Sequence, residues 1–127
     1  MRTILVDAIG AFVIKGEGIF EEMHKLLDEY PNPKIILTGA NDEQFKEHGL
    51  DKMPYEIFTL KHDPEKTDPA YYNKMLKHYN LKPEGVIYFE HDEEAVKSAQ
   101  SVGINTFYYD SGKQDLGVLK KFIDQNL

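Results

Sequence analysis

Three residues with complementary chemistry, Asp7, Thr38 and Lys66, follow short apolar runs or precede a predicted helix. Asp7 ends the apolar run Thr3–Val6. Thr38 closes a second run, and Lys66 lies just before a segment that begins with proline. A carboxylate can attack phosphorus, while a hydroxyl and an ammonium group can hold phosphoryl oxygens and neutralise their charge. The three side chains together therefore favour phosphoryl chemistry, provided that the fold brings them to one place.

Each of these residues also has an ordinary structural explanation. An acid after a strand is common in loops, and Thr38 before Gly39 is normal turn chemistry. Lys61 stands in a similar local sequence and competes with Lys66 for the same role. A further polar run, Glu90-His91-Asp92, follows another apolar segment. The functional interpretation depends on the order and spacing of the residues together.

Strand-like and helix-like segments alternate from one end of the chain to the other. The predicted strands are Thr3–Val6, Lys34–Thr38, Tyr55–Leu60, Val86–Phe89 and Ile104–Tyr109. The predicted helices are Ile19–Tyr30, a short one capped by Asn41 or Asp42 and ending at Glu47, Asp68–Tyr79, Glu93–Val102 and Leu116–Ile123. Short strands that are apolar on both faces and separated by helices predict an α/β fold with a parallel sheet. Ligands of such sheets bind beyond the carboxyl ends of the strands.

Length and composition narrow the class of protein. The 127 residues predict a single domain spanning 1–127. A net charge of -7 argues against nucleic acids and anionic membranes as partners, because both are bound through basic surfaces. The chain has no cysteine, and no stretch approaches the roughly 18 apolar residues of a membrane helix. The N-terminus has no apolar signal core, so we expect a cytoplasmic location.

Four motifs in register resemble the haloacid dehalogenase (HAD) superfamily. The first is the run Ile4–Phe12, with Asp7 directly after the strand, and the second is Ile35–Asn41, with Thr38-Gly39. The third is Lys66–Pro69, which precedes a helix, and the fourth is Glu90–Ala95. The resemblance covers nearly the whole chain.

This resemblance implies a three-layer, Rossmann-like core around a five-stranded parallel sheet in the order 5-4-1-2-3. Between Phe12 and Lys34 there is room only for a flap and one helix, so no cap domain is expected.

The resemblance also assigns roles to residues. Asp7 would be the nucleophile, and Thr38, Gly39 and Lys66 would bind phosphate. Mg²⁺ would be held by Asp7, Glu90 and Asp92 and by the backbone carbonyl of Ile9.

The departures from the family pattern bear directly on activity. Ile9 stands where the family has its general acid/base Asp, and isoleucine cannot transfer a proton. His91 replaces a main metal ligand and Ala95 replaces a supporting Asp. Because imidazole is a poor substitute for the oxygen ligands of Mg²⁺, magnesium binding is expected to be impaired.

Two main functions remain open at this point. The first is a phosphatase-like domain with little or no turnover that serves as a binding or regulatory module for a phosphorylated small molecule or a protein partner. The second is an active phosphohydrolase with Asp7 as nucleophile, in which Glu90 or Asp92 manages the metal or water. A receiver-like phospho-acceptor is less favoured, because receivers carry the acceptor Asp after the third strand. A metal-free dehalogenase is also less favoured, because those enzymes close a helical cap over the substrate.

Overall fold

The central feature of the fold is a parallel sheet, seen in a computed structural model that describes residues 1–127. In chain order the strands are β1 (Thr3–Asp7), β2 (Val13–Ile14), β3 (Gly18–Ile19), β4 (Lys34–Thr38), β5 (Glu56–Thr59), β6 (Val86–Glu90) and β7 (Asn105–Tyr108). Five of them form the sheet in the order β5-β4-β1-β6-β7, with every neighbouring pair parallel. When only the five sheet strands are numbered in chain order, and the count starts from the β7 edge, this order is 5-4-1-2-3, which confirms the prediction.

Five α-helices cover the sheet. They are α1 (Glu21–Asp28), α2 (Asp42–Glu47), α3 (Pro69–Tyr79), α4 (Glu93–Ser101) and α5 (Leu116–Asn126). Helices α2 to α5 each begin after an Asn or Asp whose side chain accepts a backbone N–H of the first turn, which satisfies an otherwise free donor. At α2, Asn41 and Gln44 form a reciprocal capping box.

Successive residues of the central strand point to opposite sides of the sheet, so both faces are buried. Ile4 and Val6 belong to a core that includes Met23 of α1 and Leu119 of α5. Leu5 belongs to a second core on the other face, with Tyr71 and Met75 of α3 among its members. The result is a three-layer α/β sandwich, and it explains why the strands are apolar without alternation.

Most predicted elements agree with the structure to within three residues at either end, and the main difference lies at the start of the first helix. The expected helix from Ile19 to Tyr30 is shorter, because Ile19 pairs with Val13 in the antiparallel hairpin β2–β3. This hairpin is the flap that the sequence left room for between the first strand and the first helix. None of the helices has both the length and the apolar character that crossing a membrane requires.

The strand register places the polar strand ends at one edge of the sheet. Asp7 of β1 pairs with Leu37 of β4, directly before Thr38. On the other side of β1, Val6 pairs with Phe89 of β6, directly before Glu90. Asp7, Thr38 and Glu90 therefore end three adjacent strands at the same level.

Candidate functional site

A cleft of about 220 Å³ lies at the carboxyl ends of the strands. Its floor is formed by Asp7, Glu90 and Lys66, and Thr38 and Gly39 line the wall. The Asp7 and Glu90 side chains are each only 1% exposed, and that of Lys66 is 14% exposed. The charged floor is thus largely shielded from solvent, which strengthens the interactions among its groups.

Both oxygens of the Asp7 carboxylate are hydrogen-bonded. Lys66 Nζ donates to Asp7 Oδ1 at 2.8 Å. The backbone N–H of His91 donates to Asp7 Oδ2 at 3.1 Å, and His91 Nδ1 contacts the same oxygen. A backbone amide, an ammonium group and an imidazole therefore surround one carboxylate.

Glu90 is a second buried carboxylate with a full set of partners. Lys66 Nζ lies 2.7 Å from Glu90 Oε1, and the Tyr88 hydroxyl donates to the same oxygen. The backbone N–H of Asp92 donates to Glu90 Oε2 at 3.0 Å, and His91 Nδ1 lies 3.3 Å from it. The involvement of Tyr88 could not be predicted, since its place in an apolar strand indicated only a core residue.

Lys66, and not Lys61, is the amine of the cleft. Besides the two carboxylates, Lys66 Nζ donates to the Leu37 carbonyl at 3.2 Å. Lys61 instead pairs with Asp42 at 3.0 Å on the surface. The structure thereby resolves the choice between the two lysines that the sequence left open.

The ring of His91 lies against Gly10. A Cβ atom at position 10 would be 2.6 Å from His91 Cε1 and 2.7 Å from Nε2, distances that real Cβ atoms do not reach. Gly10 also has a φ of +100°, a conformation that L side chains rarely adopt. Glycine is therefore required here twice, by the backbone and by the neighbouring ring.

The pKa values of the floor reflect these contacts. Hydrogen bonds from His91 to Asp7 and then to Glu90 raise the pKa of His91 to about 10, against the effect of burial. Burial would lower the pKa of Lys66, but the charges of Asp7 and Glu90 outweigh it and raise that pKa well above its ordinary value. Near neutral pH both bases are thus cationic.

The two carboxylates are affected differently. Burial, and then the charge of Glu90, raise the pKa of Asp7, while Lys66 and His91 oppose the shift. For Glu90, burial raises the pKa, but the Lys66 charge and the hydrogen bonds from His91, Lys66 and Tyr88 outweigh it and bring the pKa below its usual range.

Thr38 presents a hydroxyl at the wall of the cleft. Thr38 Oγ1 accepts the backbone N–H of Ala40 at 3.2 Å, which leaves the hydroxyl hydrogen free to donate. The Tyr71 hydroxyl donates to the Thr38 carbonyl at 2.7 Å and so fixes the end of β4. Thr38 is therefore held with its donor available to an anion.

Other residues singled out from the sequence lie near the floor but are engaged elsewhere. Asp92 lines the cleft, yet its carboxylate accepts the backbone N–H of Glu94 at 3.0 Å as the cap of α4. Ile9 and Ala95 also line the cleft, and their side chains are apolar.

The rim of the cleft carries residues that sequence reasoning did not select. His62 Nε2 lies 2.6 Å from Gln44 Oε1, and His62 Nδ1 lies 2.7 Å from Glu65 Oε1. The His62 and Glu65 side chains are 39% and 55% exposed, in contrast to the buried floor. Gln44 lies on α2, 18 residues before His62, so only the fold brings it to the His62–Glu65 pair.

The donor set of the floor does not fit Mg²⁺. Ligand atoms of Asp7, Glu90 and His91 lie within 4.8 Å of one another, but one of the three is an imidazole. The carboxylate oxygens are already paired with Lys66 and His91. Magnesium prefers an octahedron of oxygen ligands, so it would have to displace these cations.

Comparisons with known proteins were made by sequence and by structure. No family model matches this sequence, and neither does any curated protein. The HAD family enzyme BT-2542 from Bacteroides thetaiotaomicron is similar in structure, with a TM-score of 0.76, 12% identity, and coverage of 94% of this chain and 98% of that one. The same enzyme in complex with magnesium and inorganic phosphate has a TM-score of 0.73, 13% identity, and coverage of 93% and 98%.

A further similar structure is the core domain of a candidate phosphoglycolate phosphatase from Streptococcus pneumoniae. It has a TM-score of 0.63, 18% identity, and coverage of 98% of this chain and 96% of that one. Identities at this level establish likeness of fold, and the strand order agrees with it. The chain therefore has the α/β fold of the haloacid dehalogenase superfamily core.

Proposed function

We propose that this chain is a phosphatase-like domain that binds a phosphoryl group with little or no turnover and acts as a binding or regulatory module. The observation that carries the proposal is the composition of the cleft. Asp7, Thr38 and Lys66 lie around one small space, while the nearby side chains of Ile9 and Ala95 are apolar. Groups suited to hold an oxyanion are thus present, while position 9 has no carboxyl group to protonate a leaving group.

The hydrogen bonds of the floor support weak chemistry. Asp7 is held by three donors, which lowers the nucleophilicity of its oxygens. Glu90 is saturated by its own partners, and the Asp92 carboxylate caps a helix, so neither is free to activate water. General acid/base assistance is worth about 10²–10⁴-fold, and no free carboxyl group is present to supply it.

The ligand we propose is the phosphoryl group of a small molecule or of a protein. Thr38 offers a hydroxyl donor, and Lys66 contributes positive charge beside it. The exposed rim at His62 leaves space for the group to which the phosphate is attached. Nucleic acids and membranes are not proposed as partners, given the net charge of -7.

Inorganic phosphate titrated into the chain and followed by calorimetry tests the binding. Thr38→Val keeps the volume and removes the hydroxyl, so phosphate affinity should fall by about 10- to 100-fold, the usual effect of one hydrogen bond to a charged group. Thr106→Val is the matched control, since Thr106 is also buried but donates to Ile104 outside the cleft. Equal affinity in both variants would contradict a phosphate site at Thr38.

The alternative is an active phosphohydrolase with Asp7 as nucleophile. It is favoured by the location of the buried Asp7 beside Lys66 and Thr38, and solved proteins of this fold include named enzymes. We expect no detectable hydrolysis of an unactivated sugar phosphate and at most slow hydrolysis of p-nitrophenyl phosphate. Robust turnover of a sugar phosphate that is lost in Asp7→Asn would establish the alternative instead.

A further inference from the structure

The floor of the cleft pairs two carboxylates with two bases. Asp7 and Glu90 face Lys66 Nζ at 2.8 and 2.7 Å, and His91 Nδ1 contacts both. Two negative groups are thus matched by an ammonium and an imidazolium. Adding a divalent cation would leave this buried cluster with excess positive charge or would expel one of the bases.

The position of the His91 side chain is fixed by several contacts. Its own backbone N–H also bonds to Asp7 Oδ2, so backbone and ring grip the same oxygen. The ring packs on Gly10, where a single Cβ would overlap it. Because Gly10 has no side chain, the space beside it is free for the imidazole of His91.

The second ring nitrogen of His91 is unused. Nδ1 faces the carboxylate oxygens, which can only accept, so Nδ1 carries a proton. Nε2 makes no hydrogen bond within the protein, and His91 lines the cleft with 33% of its side chain exposed. The pairing with two carboxylates favours the imidazolium form of the ring, in which Nε2 carries a proton as well. This second N–H is available to an anion that also meets the Thr38 hydroxyl.

From this arrangement we infer that His91 takes the place of a divalent cation on Asp7, and that the cleft binds inorganic phosphate and phosphomonoesters without magnesium, with His91 as a phosphate ligand. The inference rests on the proposed phosphate-binding function and adds its cofactor requirement. It differs from the solved complex of BT-2542, in which magnesium accompanies the phosphate. No covalent step is involved.

The first experiment measures phosphate affinity by calorimetry in EDTA and in excess magnesium. We expect dissociation constants that agree within about twofold, because no coupling between the two ions is expected. Binding that appears or strengthens by about tenfold or more only with magnesium would overturn the inference while leaving the phosphate site intact. No binding in either buffer would instead contradict the proposed function itself.

The second experiment displaces the ring through its neighbour. Gly10→Ala should weaken phosphate binding in EDTA and shift the ring resonances of His91. Gly18→Ala is the matched control, because Gly18 has a similar φ of +93° but nothing within 4 Å of its Cβ position. Equal effects of the two variants on phosphate affinity would show that backbone strain, and not displacement of the His91 ring, causes the weaker binding.

A third variant keeps the test decisive should Gly10→Ala fail to fold. His91→Asp replaces the imidazole by a third carboxylate and leaves Lys66 as the only base, an excess of negative charge that one divalent cation can balance. Phosphate binding should be lost in EDTA and recovered in magnesium. Unchanged binding of phosphate by His91→Asp in EDTA would refute the role given to His91.

Discussion

Lys66 holds together two buried carboxylates that would otherwise repel each other. Asp7 and Glu90 are both only 1% exposed, and Lys66 Nζ bonds to one oxygen of each. A buried ion pair adds little to stability compared with an apolar equivalent, but removing one partner leaves an uncompensated charge. Without Lys66, two buried carboxylates would face each other with one counter-charge fewer.

Replacing Lys66 by methionine should destabilise the protein by about 3–5 kcal/mol at neutral pH, because both carboxylates lose their ammonium partner. Urea unfolding followed by circular dichroism measures this in a chain without tryptophan. Lys61→Met is the control, since its ion pair with Asp42 is exposed and should contribute about 1 kcal/mol or less. Similar losses in the two variants would mean that Lys66 is not buried between charges as described.

His91 gives the metal-free protein a defined dependence on pH. Its pKa is raised from an ordinary 6.5 to about 10 by hydrogen bonds to Asp7 and Glu90, so the folded state binds the proton more tightly than the unfolded state. The stabilisation is complete below pH 6.5 and is lost as the pH rises toward 10.

The stability advantage of the wild type over His91→Asn, measured in EDTA, should therefore be fully present at about pH 6.5 and shrink between pH 6.5 and 10. An advantage that grows over this interval would contradict the ion pair between His91 and the carboxylates.

At the scale of elements, helix α3 fixes the end of strand β4. The Tyr71 hydroxyl donates to the carbonyls of Thr38 at 2.7 Å and Phe58 at 3.3 Å, where β4 and β5 end. A helix packed on one face of the sheet thereby holds the strand end that carries Thr38 in place.

Tyr71→Phe should cost about 1–3 kcal/mol of stability, because buried carbonyls lose their donor. Tyr109→Phe is a matched control, since the Tyr109 hydroxyl is buried without a hydrogen-bond partner, and its removal should be neutral or stabilising. Thermal unfolding of the two variants provides the comparison. A loss of stability in Tyr109→Phe equal to that in Tyr71→Phe would argue against this role of the Tyr71 hydroxyl.

Elements were predictable where their signals are local. The apolar runs predicted the five sheet strands, and Asn41, Asp68 and Pro69 marked helix starts that the structure has. The hairpin β2–β3 was foreseen only as a flap, because strands of two residues carry no periodicity. Ile19 was therefore assigned to the helix that follows it.

At the scale of the whole molecule, the topology of the sheet and its loops determines which side chains meet in the cleft. Order and spacing predicted that Asp7, Thr38 and Lys66 would meet, because parallel strands end at one edge. The contact of the His91 ring with Gly10 was not predictable, since it depends on the close approach of two loops that are distant in the chain. His91 was recognised only as an unusual residue for its position.

The cleft should gain metal-dependent activity when its missing carboxylates are supplied together. We expect Ile9→Asp with His91→Asp and Ala95→Asp to raise magnesium-dependent hydrolysis of p-nitrophenyl phosphate by about 10²-fold or more, since a proton donor and oxygen ligands are restored. Adding Asp7→Asn should abolish this gain. A folded triple variant with no magnesium-dependent rate would mean that Asp7 is not placed to act as a nucleophile.

The small size of the hairpin β2–β3 has a consequence for how quickly a ligand leaves. No residue from Val13 to Ile19 lines the cleft, so no flap has to open before a bound ion escapes. Release is then governed by the strength of the contacts alone and is not slowed by the microsecond-to-millisecond motions that gate lidded sites. If phosphate binds as proposed, occupancy of the cleft should follow the phosphate concentration without a delay from lid opening.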